Sequence, residues 1–186
     1  MQSEDPCDGH LDKARAGDKA ALTALVQAHQ RSVYSLALRM LGTPDLAEDL
    51  TQDVFMQLNA SLNSIESSKH LAHWLRQVTT RRAIDQLRRR SRVEMTSLDG
   101  EAQLFSTQDD GDPLLQRHLR RLLSDLSPPA RAVLLLRFQE DLDPIDIART
   151  LDMPINTVKS HLKRSLDALR EKTLEAQPSR CEDNST

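Results

Sequence analysis

Apolar residues return every third or fourth position along most of this chain. Leu22, Leu25, Val26, Val33, Leu36, Ala37, Met40 and Leu41 fall on one face of a helix over residues 11–41, with a break expected near Gly17. The stretch GTPD at 42–45 stops that helix and starts the next. Thr43 is placed to cap. Pro44 takes the first helical position, where its missing N–H costs nothing, and Asp45 meets the positive end of the helix dipole. The second helix, 44–60, turns Leu46, Leu50, Val54, Phe55 and Leu58 inward. A polar loop, SLNSIESSKH at 61–70, leads to a long helix over 69–90 with Leu71, Trp74, Leu75, Val78, Ile84 and Leu87 inside.

The period is lost over 93–113, which holds Gly100, Gly111, Pro113 and many acids and reads as a linker. Beyond it, 114–126 is amphipathic. Ser127 caps and Pro128 opens a helix to about 139 carrying Val133, Leu134, Leu136 and Phe138. Asp143 and Pro144 open a short helix with Ile147, Ala148 and Leu151 inward. LDMP at 151–154 is a tight turn, and Pro154 starts a last helix with Val158, Leu162, Leu166 and Leu169 inward. Two helices about a tight turn, with a small alanine in the first, is the helix-turn-helix pattern. The expected fold is all-α: a disordered tail over 1–10, a helical domain over 11–92, an acidic flexible linker over 93–113, a second helical domain over 114–172, and a disordered tail over 173–186. Composition agrees: with 5 glycines in 186 residues and 3% aromatics, the chain suits helices with a core of Leu, Ala, Val and Ile.

The net charge is only −3, but its distribution is uneven. Residues 43–66 hold Asp45, Glu48, Asp49, Asp53 and Glu66 and no Lys or Arg. Residues 69–92 hold Lys69, Arg76, Arg81, Arg82, Arg88, Arg89, Arg90 and Arg92 against Asp85 alone. Residues 93–113 are acidic again. Alternating blocks point to separate surfaces for separate partners. A second basic focus lies on the last helix, where helical spacing turns Asn156, Lys159, Ser160, Lys163 and Arg164 outward. Such a face fits the major groove: Lys and Arg reach phosphates or guanine, while Asn and Ser read base edges. On the other basic helix, Trp74 beside Arg81 and Arg82 suits stacking on an unpaired base as well as a place in the core. The acidic face with Phe55 suits a protein partner.

Other chemistry finds little support. No glycine-rich phosphate loop, nucleophile–base constellation or metal framework is present, so no catalytic residue, cofactor or metal is expected. His70 and His73 share a helix face but have no further ligands beside them. Cys7 and Cys181 read as reduced surface thiols. The longest apolar run, 132–136, is too short for a membrane span. MQSEDPCDGH carries no secretory pattern, so a cytoplasmic location is expected. A conventional helix-turn-helix regulator accounts for one basic helix and leaves the other unexplained.

Three stretches carry a family resemblance: AEDLTQDVF at 47–55, WLRQVTTRRAIDQLRRR at 74–90 and IDIARTLDMPINTVKSHLKRSLDALR at 145–170. Over about 11–172 the chain resembles bacterial RNA polymerase sigma factors of the extracytoplasmic-function (ECF) group of the sigma-70 family. The resemblance implies that Asp49, Gln52, Asp53 and Phe55 dock on the clamp of the largest polymerase subunit. It implies that the loop over 62–70 and the helix after it, through Lys69, Trp74, Arg76, Arg81, Arg82 and Arg88, take the minus-10 element. It implies that Asn156, Thr157, Lys159, Ser160, Lys163 and Arg164 read the minus-35 element. The flap of the second-largest subunit and an anti-sigma factor are further implied partners, and the free chain is expected to be a monomer without cofactor. The family usually has Asn where Arg81 stands, an aromatic where Leu71 stands, and Gly where Asn156 stands.

Overall fold

The structure is a computed structural model that describes residues 6–94 and 121–175. Among these residues every regular element is helical. Residues 93–94, read as linker, and 173–175, read as tail, continue the helices before them; the linker from residue 95 on and the C-terminal tail after residue 175, with Cys181, lie outside the described residues. So does most of the amphipathic stretch expected before Ser127.

The first unit contains α1 (Pro6–Arg15), α2 (Lys19–Leu41), α3 (Pro44–Ser61), a 3₁₀ turn (Leu62–Ser64) and α4 (Ser68–Glu94). Residues 6–10, read from the sequence as part of a tail, are helical. They extend a helix whose Leu11 and Ala14 are buried. Gly17 makes the expected break with φ +91°, a conformation that costs a side-chain-bearing residue strain. The Asp18 carboxylate then caps α2, accepting from the Ala20 and Ala21 amides at 2.8 and 3.2 Å. Gly42, at φ +82°, ends α2 and donates to the Leu38 carbonyl at 2.8 Å.

α2 packs against α1, α3 and α4. Leu25, Leu36, Met40, Val54, Leu58 and Leu71 are essentially sealed from solvent. Each such side chain contributes on the order of 1.5–3 kcal/mol of burial. Leu46, Phe55, Trp74, Val78 and Leu87, expected inside, are only half-buried. The loop over 61–70 is less polar in space than in sequence: Leu62 and Ile65 are buried and tie the turn to the core.

Two caps differ from expectation. Thr43 is extended and its side chain makes no capping bond; its hydroxyl is buried without a hydrogen-bond partner, while its carbonyl accepts from the Ala47 amide at 3.1 Å. Ser127 likewise caps through its carbonyl alone, from the Arg131 amide at 2.9 Å. In both, proline at the first helical position sets the start of the helix by fixing φ, with no side-chain bond required.

In the second unit residues 121–124 are helical, followed by α5 (Pro128–Phe138), α6 (Pro144–Leu151) and α7 (Ile155–Glu175). α5 is buried all round from Ala130 to Leu136 and packs on α7. Arg131 is part of that buried run. Its Nε donates to the Leu123 carbonyl at 2.9 Å and its Nη2 to the Ser124 carbonyl at 3.0 Å, closing the end of the preceding helix. Burial pulls its guanidinium below the ordinary value, and the Asp125 carboxylate opposes that shift. Lys172 near the end of α7 pairs with Asp125. Phe138, expected inside, is 65% exposed, because α5 ends at that residue.

Asp143 caps α6 as expected, its Oδ1 accepting from Ile145 and Asp146 at 2.8 Å each. The turn between α6 and α7 places Asp152 at φ +53°, and the Met153 amide donates to the Ala148 carbonyl at 3.1 Å.

Candidate nucleic-acid and protein interfaces

α3 turns its acidic residues to solvent. Asp45, Glu48, Asp49, Gln52 and Asp53 are all exposed at three- and four-residue steps, and Phe55 sits half-buried at their edge. The stripe continues into Met56, which is 69% exposed. Met56, outside the residues selected from the sequence, lies three residues beyond Asp53 and four beyond Gln52, which puts it in line with them.

α4 begins with a tied N-terminus. The Ser67 hydroxyl accepts from the His70 amide at 3.2 Å, and His70 Nδ1 accepts from the Glu66 amide at 3.2 Å. This reciprocal arrangement resembles a capping box and holds the loop over 62–67 against the helix start. His70 therefore has a structural role in this turn. Among the described residues no group of three or more His, Cys, Asp or Glu is placed to hold a metal.

Along α4, Lys69, Arg81 and Arg88 are exposed, while Trp74, Arg76 and Arg82 are half-buried. Trp74 thus serves the core with part of its ring and leaves the rest accessible. Arg76 lines a shallow groove between α2 and α4, with His29, Ser32, Leu36, Leu75 and Thr79. Leu71, where an aromatic was noted as usual, is fully buried, so it acts in packing.

Arg82 does something the sequence did not foretell. Its Nη1 donates to Asp53 Oδ2 at 2.9 Å and its Nε to Gln57 Oε1 at 3.0 Å. A residue assigned to the nucleic-acid set and one assigned to the protein-docking set are thus joined. No spacing rule links positions on different helices, so only tertiary structure reveals this pair.

In the second unit the sequence-selected residues of α7 separate cleanly from its core. Asn156, Thr157, Lys159, Ser160, Lys163 and Arg164 are all exposed, while Val158 and Ser165 are buried on the opposite side. Lys159, Lys163 and Arg164 give this face three cations within two turns. Phe138 and Ile145, 65% and 50% exposed, are large apolar residues left in solvent by the same unit. Among the described residues no helix is long and apolar enough to cross a membrane.

Two helical units, one ending in a helix-turn-helix with a cationic second helix, define a DNA-binding transcription protein that carries an additional exposed acidic face. The comparisons narrow this class. Residues 25–93 match the family model of Sigma-70 region 2, and residues 116–169 match that of Sigma-70, region 4. The ECF RNA polymerase sigma factor SigE of Mycolicibacterium smegmatis is 32% identical over 83% of this chain and 63% of its own length. The ECF RNA polymerase sigma factor SigW of Bacillus subtilis is 25% identical over 86% of this chain and 92% of its own. Among solved structures, the sigma factor RpoE in complex with the anti-sigma factor NepR, from Bartonella quintana, superposes with a TM-score of 0.68. That match is 24% identical and covers 80% of this chain and 94% of that one. This chain belongs to the sigma-70 family, in its ECF group. It is a sigma factor, directing promoter-specific initiation by RNA polymerase.

Proposed function

We propose that the two units divide initiation between them at the residues described above. α3 docks on the clamp of the largest polymerase subunit through Asp49, Gln52, Asp53 and Phe55, with Met56 adding apolar contact at the end of the stripe. The loop over 62–70 and α4 then take the minus-10 element. Lys69, Arg76, Arg81, Arg82 and Arg88 neutralise phosphates, and the open part of Trp74 stacks on an unpaired base, an interaction worth about 1–3 kcal/mol. α7 enters the major groove of the minus-35 element. Lys159, Lys163 and Arg164 meet phosphates or guanine, and Asn156, Thr157 and Ser160 meet base edges. Each good base-edge contact discriminates by about 1–3 kcal/mol. Phe138 and Ile145 supply an apolar surface for the flap of the second-largest subunit.

The chain has no catalytic residue of its own in this reading. It positions the polymerase, and the polymerase does the chemistry. It works in the cytoplasm as a monomer until it meets core enzyme, and an anti-sigma factor competing for the same surfaces is a natural regulator. Minus-10 recognition is assigned to the domain read as 11–92 and minus-35 recognition to that read as 114–172, joined by the acidic 93–113; the helices at their edges reach Pro6, Glu94 and Glu175.

The observation that carries this reading is the face of α7: all six selected residues are exposed, while Val158 and Ser165 are buried and Leu162, Leu166 and Leu169 half-buried on the other side. Reconstitution tests it. Core polymerase free of other sigma factors is mixed with this chain and given genomic promoter fragments. Transcripts from defined start sites, lost when Lys163 and Arg164 are both changed to Ala, are the expected result. Absence of a polymerase complex, with salt-sensitive DNA binding by the chain alone, would instead support a conventional DNA-binding regulator.

A further inference from the structure

Arg82 cannot serve DNA while it is held between α3 and α4. Its guanidinium reaches Asp53 at 2.9 Å and Gln57 at 3.0 Å, and both acceptors belong to the acidic helix. Asp53 and Arg82 keep 59% and 42% of their side chains exposed, so the pair is reachable and weak rather than locked. Asp53 is also part of the stripe open to a protein partner, beside Asp49 and Gln52. A partner cation brought to Asp53 lies within a few ångströms of the Arg82 guanidinium. It shares the carboxylate and repels the guanidinium at once.

We propose that Asp53, Gln57 and Arg82 form a relay between the two interfaces: occupation of Asp53 by a basic partner surface frees Arg82 to bind a nucleic-acid phosphate. The proposal rests on the assignments of the preceding section. In the free chain Asp53 neutralises Arg82 and weakens its grip on DNA. In the docked chain Arg82 joins the basic track of Arg81 and Arg88 on α4. Coupling of this kind is reciprocal, so bound DNA also strengthens docking by the same factor. Gln57 is the second, neutral acceptor on the acidic helix: it helps Asp53 hold Arg82 on α3, so its loss also loosens Arg82, to a lesser extent.

The test uses the full chain without polymerase and a short labelled oligothymidylate as probe. Asp53→Asn removes the charge that holds Arg82 and leaves a side chain of the same shape. The expected result is binding about two- to fivefold tighter than wild type, the factor that an exposed ion pair supports. The salt dependence should steepen by about 0.7 in log–log slope for one added phosphate contact. The gain should vanish when Arg82→Ala is added, as a double-mutant cycle requires. Gln57→Ala should give a smaller gain of the same sign.

Glu48→Gln removes an equal charge from the same helix without touching Arg82, and separates the relay from general electrostatics. A gain with Glu48→Gln as large as that with Asp53→Asn overturns the proposal. So does no gain with Asp53→Asn, or a gain that survives loss of Arg82. Polymerase affinity of the wild-type chain is measured in parallel. If it is absent, the docking assignment fails; if it is present without the Asp53→Asn gain, only the relay fails.

Discussion

Single residues in the second unit carry unequal loads. Arg131 is a cation inside the most apolar helix, and its two bonds to the Leu123 and Ser124 carbonyls justify its burial. Replacing it with Met fills much of the space, leaves the Ser124 carbonyl without the Arg131 bond, and leaves the Leu123 carbonyl with the Leu126 amide alone, at 3.2 Å. The expected cost is about 1–3 kcal/mol, the penalty of one stranded group. Urea denaturation followed by circular dichroism checks it. Asp152 is the opposite case. It holds φ +53° in the helix-turn-helix turn, where glycine is free of strain. Asp152→Gly should raise stability by up to about 1 kcal/mol after the entropy lost to a freer unfolded chain. A higher thermal midpoint with unchanged DNA specificity is the expected reading. Neither effect was legible in the sequence. Arg131 looked like one more basic residue, and Asp152 showed no sign of its backbone angle.

Elements were read more reliably than contacts. Helix starts at Pro44, Pro128 and Pro144 stand where proline and its neighbours place them, because proline fixes φ whatever its surroundings. The bonds expected at Thr43 and Ser127 are missing, because the side-chain direction depends on what lies around it. Periodicity placed the exposed face of α7 correctly, since a helix's own geometry decides it, but of Val158, Leu162, Leu166 and Leu169, all expected inside, only Val158 is fully buried. It did not anticipate the exposure of Phe138, which depends on where α5 ends. The Asp53–Arg82 pair joins α3 to α4 over a sequence separation of 29 and has no local signal. On α3, Met56→Ser should weaken polymerase binding about fivefold, close to 1 kcal/mol of lost apolar burial, and leave helix content unchanged. Titration of labelled core enzyme measures this.

At the scale of the whole molecule, the charge blocks predict how the chain behaves alone. Asp109, Asp110 and Asp112 lie between a basic helix and a second basic face in sequence, and an acidic segment of that kind competes with DNA for either. Free protein should therefore bind duplex DNA weakly, and changing these three residues to Asn should tighten that binding severalfold at low salt. An affinity unaffected by the change would exclude the linker as a competitor. The family itself was legible because its motifs fall on exposed faces with fixed spacing. Charge and spacing pointed to separate nucleic-acid and protein faces, while their assignment to particular promoter elements and polymerase subunits came only as an implication of the resemblance.

The two-sided build of α7 has a consequence for descent. Val158 and Ser165 anchor the helix, and the residues from Asn156 to Arg164 on the open side support nothing beneath them. Mutations there leave the fold intact and alter only what the helix meets. A lineage carrying this unit is free to drift from one set of target genes to another through folded, working intermediates, and duplicated copies have room to diverge.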